Sequence, residues 1–375
     1  MPEAPRKRAP RVLVAPDSFK GSVSAPDAAR AIARGILRGA PGAIVDVCPL
    51  ADGGEGTLDA LLVAMNGTAR TASVAGPHGQ RVTARWGSFA DGLAVVEAAQ
   101  AAGLELVPSS ERDPGVATTF GVGELVREAL ESGARTVMVT LGGTATMDLG
   151  SGMAQALGVE FDGGARPMGG AALERVRRID TARLDHRLKG VSLVVAVDVD
   201  NPLLGVDGAT RTYGPQKGAT PEQVEALERG FVHVAGLVGD PGDRPGDGAA
   251  GGAAFLLRTL LGGRIERGAE LVQAAAGFVS RLADSDLVIT GEGRLDSQTA
   301  RGKVVGAVGR AAKLANVPVV AVAGAVRNDA RPLYDEGVDA WFSICDRPLT
   351  EPDARAQAPA LLEKVAENIV RLRFR

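Results

Sequence analysis

Short apolar segments alternate with helical patterns at the start of the chain. Residues 12–15 (VLVA) form an apolar run, and a polar turn separates them from residues 26–38, where apolar positions recur at helical spacing. Residues 44–48 (IVDVC) and a helical pattern from residue 57 to about residue 65 repeat this order. Strands that alternate with helices are typical of βαβ units with a parallel sheet.

The same alternation returns near the end of the chain. The pattern predicts strands over residues 287–290, 317–323 and 340–344, and helices over residues 304–314, near Pro332 and over residues 353–371. Because both ends share one pattern, we expect a single doubly wound α/β domain formed by residues 1–66 and 266–375. An inserted α/β domain would then occupy residues 67–265.

Within the predicted insertion the pattern changes. Residues 67–74, 80–86 and 93–97 are β-rich runs joined by glycine-containing turns, which indicates an antiparallel meander. A helix over residues 121–131 and strands over residues 136–141 and 191–197 follow, so the expected sheet is mixed. Residues 236–252 are rich in Gly, Pro and Asp and form either a surface loop or part of a site.

Charge and composition favour a small-molecule partner. The 375 residues include 42 Lys+Arg and 45 Asp+Glu, a formal net charge of −3, which is unlike the basic balance of nucleic-acid-binding proteins. The longest apolar runs have about ten residues, too few to span a membrane. No signal-type apolar segment follows the basic N-terminus, and Cys48 and Cys345 lack metal-type spacing. We therefore expect a cytoplasmic protein without a membrane, nucleic-acid or zinc partner.

Two polar loops follow the first two predicted strands. Residues 17–22 (DSFKGS) bring an acid, hydroxyls and Lys20 to the carboxyl edge of the sheet, where ligands bind in open α/β folds. Residues 52–57 (DGGEGT) place glycine amides before a helix, an arrangement that suits an anion. Each loop could equally be an ordinary turn that caps the next helix.

Three further segments carry polar side chains. Residues 142–150 (GGTATMDLG) resemble an anion-binding loop that ends in a possible metal ligand, Asp148. Residues 198–202 (DVDNP) supply two carboxylates and an amide, suited to Mg²⁺ or to accepting a proton, although two acids after a strand can be merely solvated. Residues 290–296 (TGEGRLD) read as a charged loop leaving a strand, and Lys217 lies beside a glycine.

The combination of side chains favours phosphoryl transfer. Acids, a few Lys and Arg residues and many glycines recur in these loops, whereas the three histidines lie in none of them. This disfavours a triad hydrolase and a zinc enzyme. The sequence also lacks a P-loop motif and a dinucleotide fingerprint after its first strand. Phosphoryl transfer needs cations and backbone donors for phosphate, carboxylates for Mg²⁺ and a base near the acceptor hydroxyl.

Six segments in order resemble the signature blocks of the type-1 bacterial glycerate kinase family. They are residues 15–21 (APDSFKG), 49–57 (PLADGGEGT), 141–146 (LGGTAT), 198–203 (DVDNPL), 214–219 (GPQKGA) and 290–294 (TGEGR). The resemblance covers almost the whole chain. It implies Mg²⁺-dependent transfer of the ATP γ-phosphate to D-glycerate, with 2-phosphoglycerate favoured. It also implies a flavodoxin-like domain interrupted by a restriction-enzyme-like domain. Met147 departs from the polar residue, often Asn, expected there.

The resemblance and the charge pattern together suggest a role for each candidate residue. Lys20 or Arg294 would hold the substrate carboxylate, and Asp198, in preference to Asp200, would accept the hydroxyl proton. In full, we expect catalysis by Asp198 and Lys20; substrate binding by Asp17, Ser18, Lys20, Arg294, Asp200 and Asn201; phosphate or nucleotide binding by Gly53, Gly54, Gly142, Gly143, Thr144, Thr146 and Lys217; and metal binding by Asp52, Asp148 and Glu292.

Other functions stay open at this stage. The chain could be a kinase of a related small hydroxy acid, or a non-catalytic sensor that binds a sugar acid. The choice between C2 and C3 phosphorylation depends on placement that no motif encodes. A homodimer is equally left open.

Overall fold

A computed structural model describes residues 8–300 and 303–374 of the chain. The strands of this part are β1 (Arg11–Val14), β2 (Ile44–Val47), β3 (Thr68–Ala75), β4 (Arg81–Ser88), β5 (Leu93–Glu97), β6 (Thr136–Thr140), β7 (Glu160–Asp162), β8 (Arg178–Asp180), β9 (Ser192–Val197), β10 (Arg264–Arg267), β11 (Leu287–Leu295), β12 (Val319–Val326) and β13 (Ala340–Ser343).

The helices of the same part are α1 (Ala25–Gly39), α2 (Thr57–Ala64), α3 (Ala99–Ala102), α4 (Phe120–Glu131), α5 (Ser151–Ala156), α6 (Ala209–Tyr213), α7 (Pro221–Val238), α8 (Ala249–Thr259), α9 (Gly268–Ala275), α10 (Phe278–Leu282), α11 (Ser297–Ala300), α12 (Val304–Leu314), α13 (Pro332–Asp335) and α14 (Glu351–Arg373). None of them is both long enough and apolar enough to cross a membrane.

The chain divides into two compact units. The first draws its residues from Met1–Asp52, Asp59–Asn66 and Ala269–Arg375, and the second from Gly53–Leu58 and Gly67–Gly268. The first unit contains a five-stranded sheet in the order β13-β12-β11-β1-β2, in which every neighbouring pair is parallel. Counted along the sheet, this is the 2-1-3-4-5 order of flavodoxin-like domains. The expected doubly wound fold is confirmed.

Helices α1 and α14 cover one face of this sheet. The Ser24 side chain accepts a hydrogen bond from the Asp27 backbone N–H and so caps the start of α1. Ile32 is fully buried in the core of the unit, which stabilises the fold by about 2–3 kcal/mol. A Cβ atom on Gly35 would lie 2.0 Å from the Glu363 carbonyl oxygen, so the two helices approach closely enough to require glycine.

The second unit contains a mixed sheet of six strands in the order β10-β9-β6-β5-β4-β3. Neighbours from β10 to β5 are parallel, whereas β5, β4 and β3 pair antiparallel. The meander and the mixed α/β sheet expected from the sequence are therefore confirmed. Val139 and Val195 on the central strands are fully buried, and Phe231 of α7 and Phe255 of α8 belong to the same core.

The structure corrects one element and adds others. Residues 291–295, expected as a loop, continue β11, because β12 pairs with them as far as Leu295. Helices α7 and α8 and strand β10 lie in a region where no element was predicted. Two acids of the glycine-rich segment there are bound by one arginine. The half-buried Arg258 side chain donates to Asp240 at 2.9 Å and to Asp247 at 2.8 Å. These acids therefore have a structural function.

Candidate active site

The carboxyl edge of the first sheet gathers three acids. Strands β1 and β11 are neighbours, and the pairing continues past β1, where the Asp17 backbone N–H donates to the Gly291 carbonyl at 2.8 Å. Asp17 therefore follows β1, and Glu292 lies within the adjacent strand β11. The strand order reverses between these two strands, which is the usual ligand site of doubly wound sheets.

Burial and the repulsion of neighbouring carboxylates disfavour charge on two of these acids, Asp17 and Glu292. Asp17, Asp52 and Glu292 expose only 4%, 3% and 7% of their surface. Burial, followed by the negative charge of Asp52, raises the pKa of Asp17 well above its usual range. Burial also raises the pKa of Glu292, and the charges of Asp52 and Asp296 add to this effect. A cation bound among them would relieve this cost.

Lys20 supplies one positive charge beside the acids. Its Nζ lies 3.8 Å from Asp52 Oδ2, while its side chain stays 73% exposed. The Ser18 backbone N–H donates to Asp17 Oδ1 at 2.6 Å, so the loop after β1 is shaped around the Asp17 carboxylate. An exposed ammonium beside buried carboxylates can meet an anionic ligand without large rearrangement.

Two residues that the sequence analysis did not assign complete this edge. The buried Thr299 hydroxyl donates to Glu292 Oε1 at 2.6 Å. Asp296 Oδ1 in turn accepts the Gln298 backbone N–H at 3.0 Å, which caps the turn into α11. Arg294 Nε donates to Asp296 Oδ2 at 3.2 Å while its side chain remains 59% exposed. The D-x-x-T spacing from residue 296 to residue 299 is a capping pattern that could have suggested this turn.

In the second unit, glycines allow loops to meet at the carboxyl edge of the sheet. A Cβ on Gly142 would lie 2.3 Å from Gly54 Cα, and one on Gly53 would lie 2.7 Å from Gly268 Cα. Gly53 and Gly143 also have positive φ angles of 92° and 70°. The expected glycine loops are thus in contact with one another, and only glycine fits at these positions.

A buried glutamate occupies amides that were expected to suit an anion. Glu97 is 1% exposed, and its Oε2 accepts the backbone N–H groups of Gly56 at 3.1 Å and Leu58 at 2.9 Å. Glu97 lies at the end of β5, about forty residues away in sequence, so no local pattern indicated this contact. These two N–H groups already bind a protein carboxylate. The amides of the loop after β6 are therefore better candidates for phosphate binding.

Asp148 is the most enclosed of the candidate metal ligands. It is fully buried. Its Oδ2 accepts the Thr119 backbone N–H and hydroxyl, both at 2.8 Å, and the Gly152 N–H at 3.2 Å, while Oδ1 accepts the Gly150 N–H at 3.1 Å. Burial raises the pKa of Asp148 although these four bonds oppose the shift. The contacts fit a residue that shapes the loop.

Lys217 is directed into the same loop. Its side chain is buried, and Nζ donates to Thr144 Oγ1 at 3.1 Å and to the Thr146 carbonyl at 2.8 Å. Burial lowers the pKa of Lys217 to about 7, although the negative charge of Asp148 acts to raise it. Met147, the departure from the family pattern, is fully buried in the hydrophobic core of the unit.

Strand β9 ends at the remaining acids. Asp198 is exposed, and its charge adds to the burial that raises the pKa of Tyr213 to about 12. Asp200 pairs with Arg267 at 2.8 Å. The Tyr213 hydroxyl donates to Asn201 Oδ1 at 2.6 Å, which fixes the Asn201 amide.

The donor set fits magnesium better than a fully protein-ligated metal. Among residues 8–300 and 303–374, no three His, Cys, Asp or Glu side chains are arranged to hold a metal ion. Mg²⁺ needs only one or two carboxylates, because waters and substrate phosphates complete its coordination. The oxygen donors Asp52 and Glu292 suit this mode.

Comparison with known proteins gives a consistent result. The family model described as the glycerate kinase family matches residues 12–373. Glycerate kinase from Bacillus subtilis (strain 168) is 44% identical over 368 residues, 96% of each chain. Glycerate 2-kinase from Escherichia coli (strain K12) is 43% identical over 89% of this chain and 90% of its own length. The crystal structure described as a glycerate kinase 2 from Salmonella typhimurium LT2 has a TM-score of 0.86 and 42% identity, covering 97% of this chain and 98% of that one. The chain belongs to the glycerate kinase family.

Proposed function

We propose that this protein transfers the γ-phosphate of ATP to the C2 hydroxyl of D-glycerate in a Mg²⁺-dependent reaction. The observation that carries the proposal is the group of buried acids Asp17, Asp52 and Glu292, with Lys20 beside Asp52. It lies at the strand-order reversal of a doubly wound sheet in a chain of this family. The Escherichia coli relative is named a glycerate 2-kinase, which supports the choice of C2.

Asp52 and Glu292 are the residues we propose for magnesium. Both present hard oxygen donors, and both carboxylates are largely removed from water. When bound, Mg²⁺ would neutralise charge on the phosphate oxygens. Thr299 donates to Glu292 Oε1 and so fixes the orientation of that carboxylate. We leave Asp148 out of the metal set, because four hydrogen bonds already use its oxygens.

Lys20 and Arg294 are the proposed partners of the glycerate carboxylate. Both side chains are more than half exposed and lie near buried acids of the first unit. Arg294 can offer two parallel donors to a carboxylate, whereas Lys20 offers a point charge. We propose that Asp17 and Ser18 shape this pocket, because the Ser18 N–H holds the Asp17 carboxylate.

Asp198 is the proposed acceptor of the hydroxyl proton, and the loop after β6 the proposed phosphate cradle. Thr140 of β6 pairs with Ala196 of β9, so Asp198 and Gly142 leave adjacent strands at one edge. The substrate hydroxyl would lose its proton to the Asp198 carboxylate as its oxygen bonds to the γ-phosphorus. The bond from that phosphorus to the β–γ bridging oxygen breaks, and ADP leaves.

The test is ADP release by purified protein with ATP, Mg²⁺ and D-glycerate, with product identification by ³¹P NMR. L-glycerate and magnesium-free reactions are the controls. Metal-dependent turnover of D-glycerate to the 2-phosphate supports the proposal. A panel of C3 and C4 hydroxy acids separates the hydroxy-acid alternative, which would appear as faster turnover of another acid. Binding with no ADP release from any acid would indicate a sensor and contradict the proposal.

Variants separate the residue roles. Asp198→Asn should lower kcat by about 10²–10⁴-fold, the range for loss of a general base, while ATP binding persists. Near-wild-type turnover would remove Asp198 from the mechanism. Glu292→Gln should raise the Mg²⁺ concentration needed for half-maximal rate, and Glu270→Gln, at another acid on a helix of the first unit, should not. Equal magnesium requirements in both variants would contradict the assignment of Glu292.

A further inference from the structure

The loop after β6, residues 142–148, is held by contacts from several directions. The Leu104 backbone N–H donates to the Gly143 carbonyl at 2.8 Å, and the Ala145 N–H donates to the Ala102 carbonyl at 2.8 Å. These contacts fix one side of the loop to the end of α3. Thr144 and Thr146 are 3% and 0% exposed, so their side chains point away from solvent.

Lys217 holds the other side of this loop. It ends the short turn Pro215–Lys217 and is only 3% exposed. Two of the three donors of its ammonium group are used within the loop, by the Thr144 hydroxyl and the Thr146 carbonyl. The turn is itself fixed, because Gly218 has a φ of 94° and a Cβ there would lie 2.5 Å from the Arg112 carbonyl oxygen.

We propose that Lys217 is a positioning residue that fixes the shape of the phosphate-binding loop through Thr144 and Thr146 and does not itself bind phosphate. The contrast with Lys20 supports this assignment, since the Lys20 side chain is 73% exposed whereas Lys217 is enclosed by its own loop. The effect on ATP use rests on the proposed function, whereas the effect on loop order does not.

The first test measures hydrogen exchange of residues 142–148 without any ligand. Lys217→Met keeps an unbranched side chain but removes the donors, so exchange should quicken about ten- to hundredfold, as expected for loss of hydrogen bonds from a charged donor. Lys189→Met, at an exposed lysine of the same unit, is the matched control and should leave exchange unchanged. Unchanged exchange in Lys217→Met would overturn the proposal, whatever the protein phosphorylates.

The second test measures kinetics in a double-mutant cycle. Lys217→Met should lower kcat/KM for ATP about tenfold or more and leave the KM for glycerate within about twofold. Thr144→Val keeps the shape of Thr144 and removes the hydroxyl that Lys217 contacts. It therefore tests the same contact if Lys217→Met does not fold. In the Thr144→Val background, Lys217→Met should lower kcat/KM for ATP by about a third of that factor or less, because the two groups act together. Additive effects would indicate that Lys217 contacts phosphate directly and would overturn the proposal.

Discussion

Replacing Asp148 by asparagine distinguishes a loop-stabilising carboxylate from a metal ligand. Asparagine has nearly the same shape but only one acceptor oxygen. In its better orientation the amide oxygen faces the three donors of Thr119 and Gly152, and the NH₂ group faces the Gly150 N–H. One buried donor then has no acceptor, and the other three bonds lose the charge of the carboxylate.

The expected loss of stability follows from these contacts. A buried donor left unsatisfied costs about 1–3 kcal/mol, and bonds to a neutral oxygen contribute about half as much as bonds to a charged one. Removal of the buried charge offsets part of the cost, since burial raises the pKa of Asp148. We expect a net loss of about 2–4 kcal/mol. At about 2–4 °C per kcal/mol for a domain of 150–250 residues, Tm falls by about 5–15 °C.

The assay is thermal unfolding with chelator and without nucleotide, so that no metal contributes. Asp162→Asn is the matched control, because that carboxylate is 56% exposed and only pairs with Arg177 at the surface. Its loss should cost no more than about 1 kcal/mol. A Tm of Asp148→Asn within about 2 °C of wild type under these conditions would refute the loop-stabilising role. Loss of magnesium-induced stabilisation alone would then identify Asp148 as a metal ligand.

Three further predictions concern other buried groups. Because the pKa of Lys217 falls from 10.5 in the unfolded chain to about 7 in the fold, the unfolded state binds the extra proton above pH 7. The free energy of unfolding of wild type, measured by urea titration, should therefore rise relative to that of Lys217→Met by about 1.4 kcal/mol per pH unit from pH 7 to pH 9. The same dependence of this free energy on pH in both proteins would contradict the prediction. Gly251→Ala should cost more than about 2 kcal/mol, since its Cβ would lie 2.1 Å from a loop carbonyl. Gly262→Ala, with open space at its Cβ, should cost about 1 kcal/mol, and equal losses would be inconsistent with the clash. Burial raises the pKa of the Cys48 thiol to about 12, so a thiol reagent should label the half-exposed Cys345 first, and equal labelling rates would disprove the difference.

Local sequence patterns were sufficient for most elements of the two sheets. Strand β5 and helix α12 have the predicted bounds, and β1 and β2 differ by one residue from them. Strand β10 was not predicted, and strand β11 is a second exception. Its glycines at positions 291 and 293 are typical of a loop, but β12 lies alongside and supplies a pairing partner as far as Leu295. Pairing with a distant strand outweighed the local propensity.

The candidate site was only partly predictable for the same reason. The sequence identified the acids, glycines and lysines because their residue types stand out after apolar strands. It did not identify Glu97 or Thr119, whose partners lie 39 to 41 and 29 residues away respectively. Nor did it separate the exposed Lys20 from the buried Lys217, since both adjoin glycines in polar motifs.

The sequence by itself determined most of the strands and helices of the two sheets, the near balance of acidic and basic residues, and the family resemblance. These depend on composition and on periodicity over a few residues, which folding does not change. Only the tertiary structure decided which acids are buried together, which lysine is enclosed and which amides already hold a carboxylate. Burial, pKa and hydrogen-bond partners depend on segments that meet only when the sheets form, and no local pattern of residues specifies those contacts.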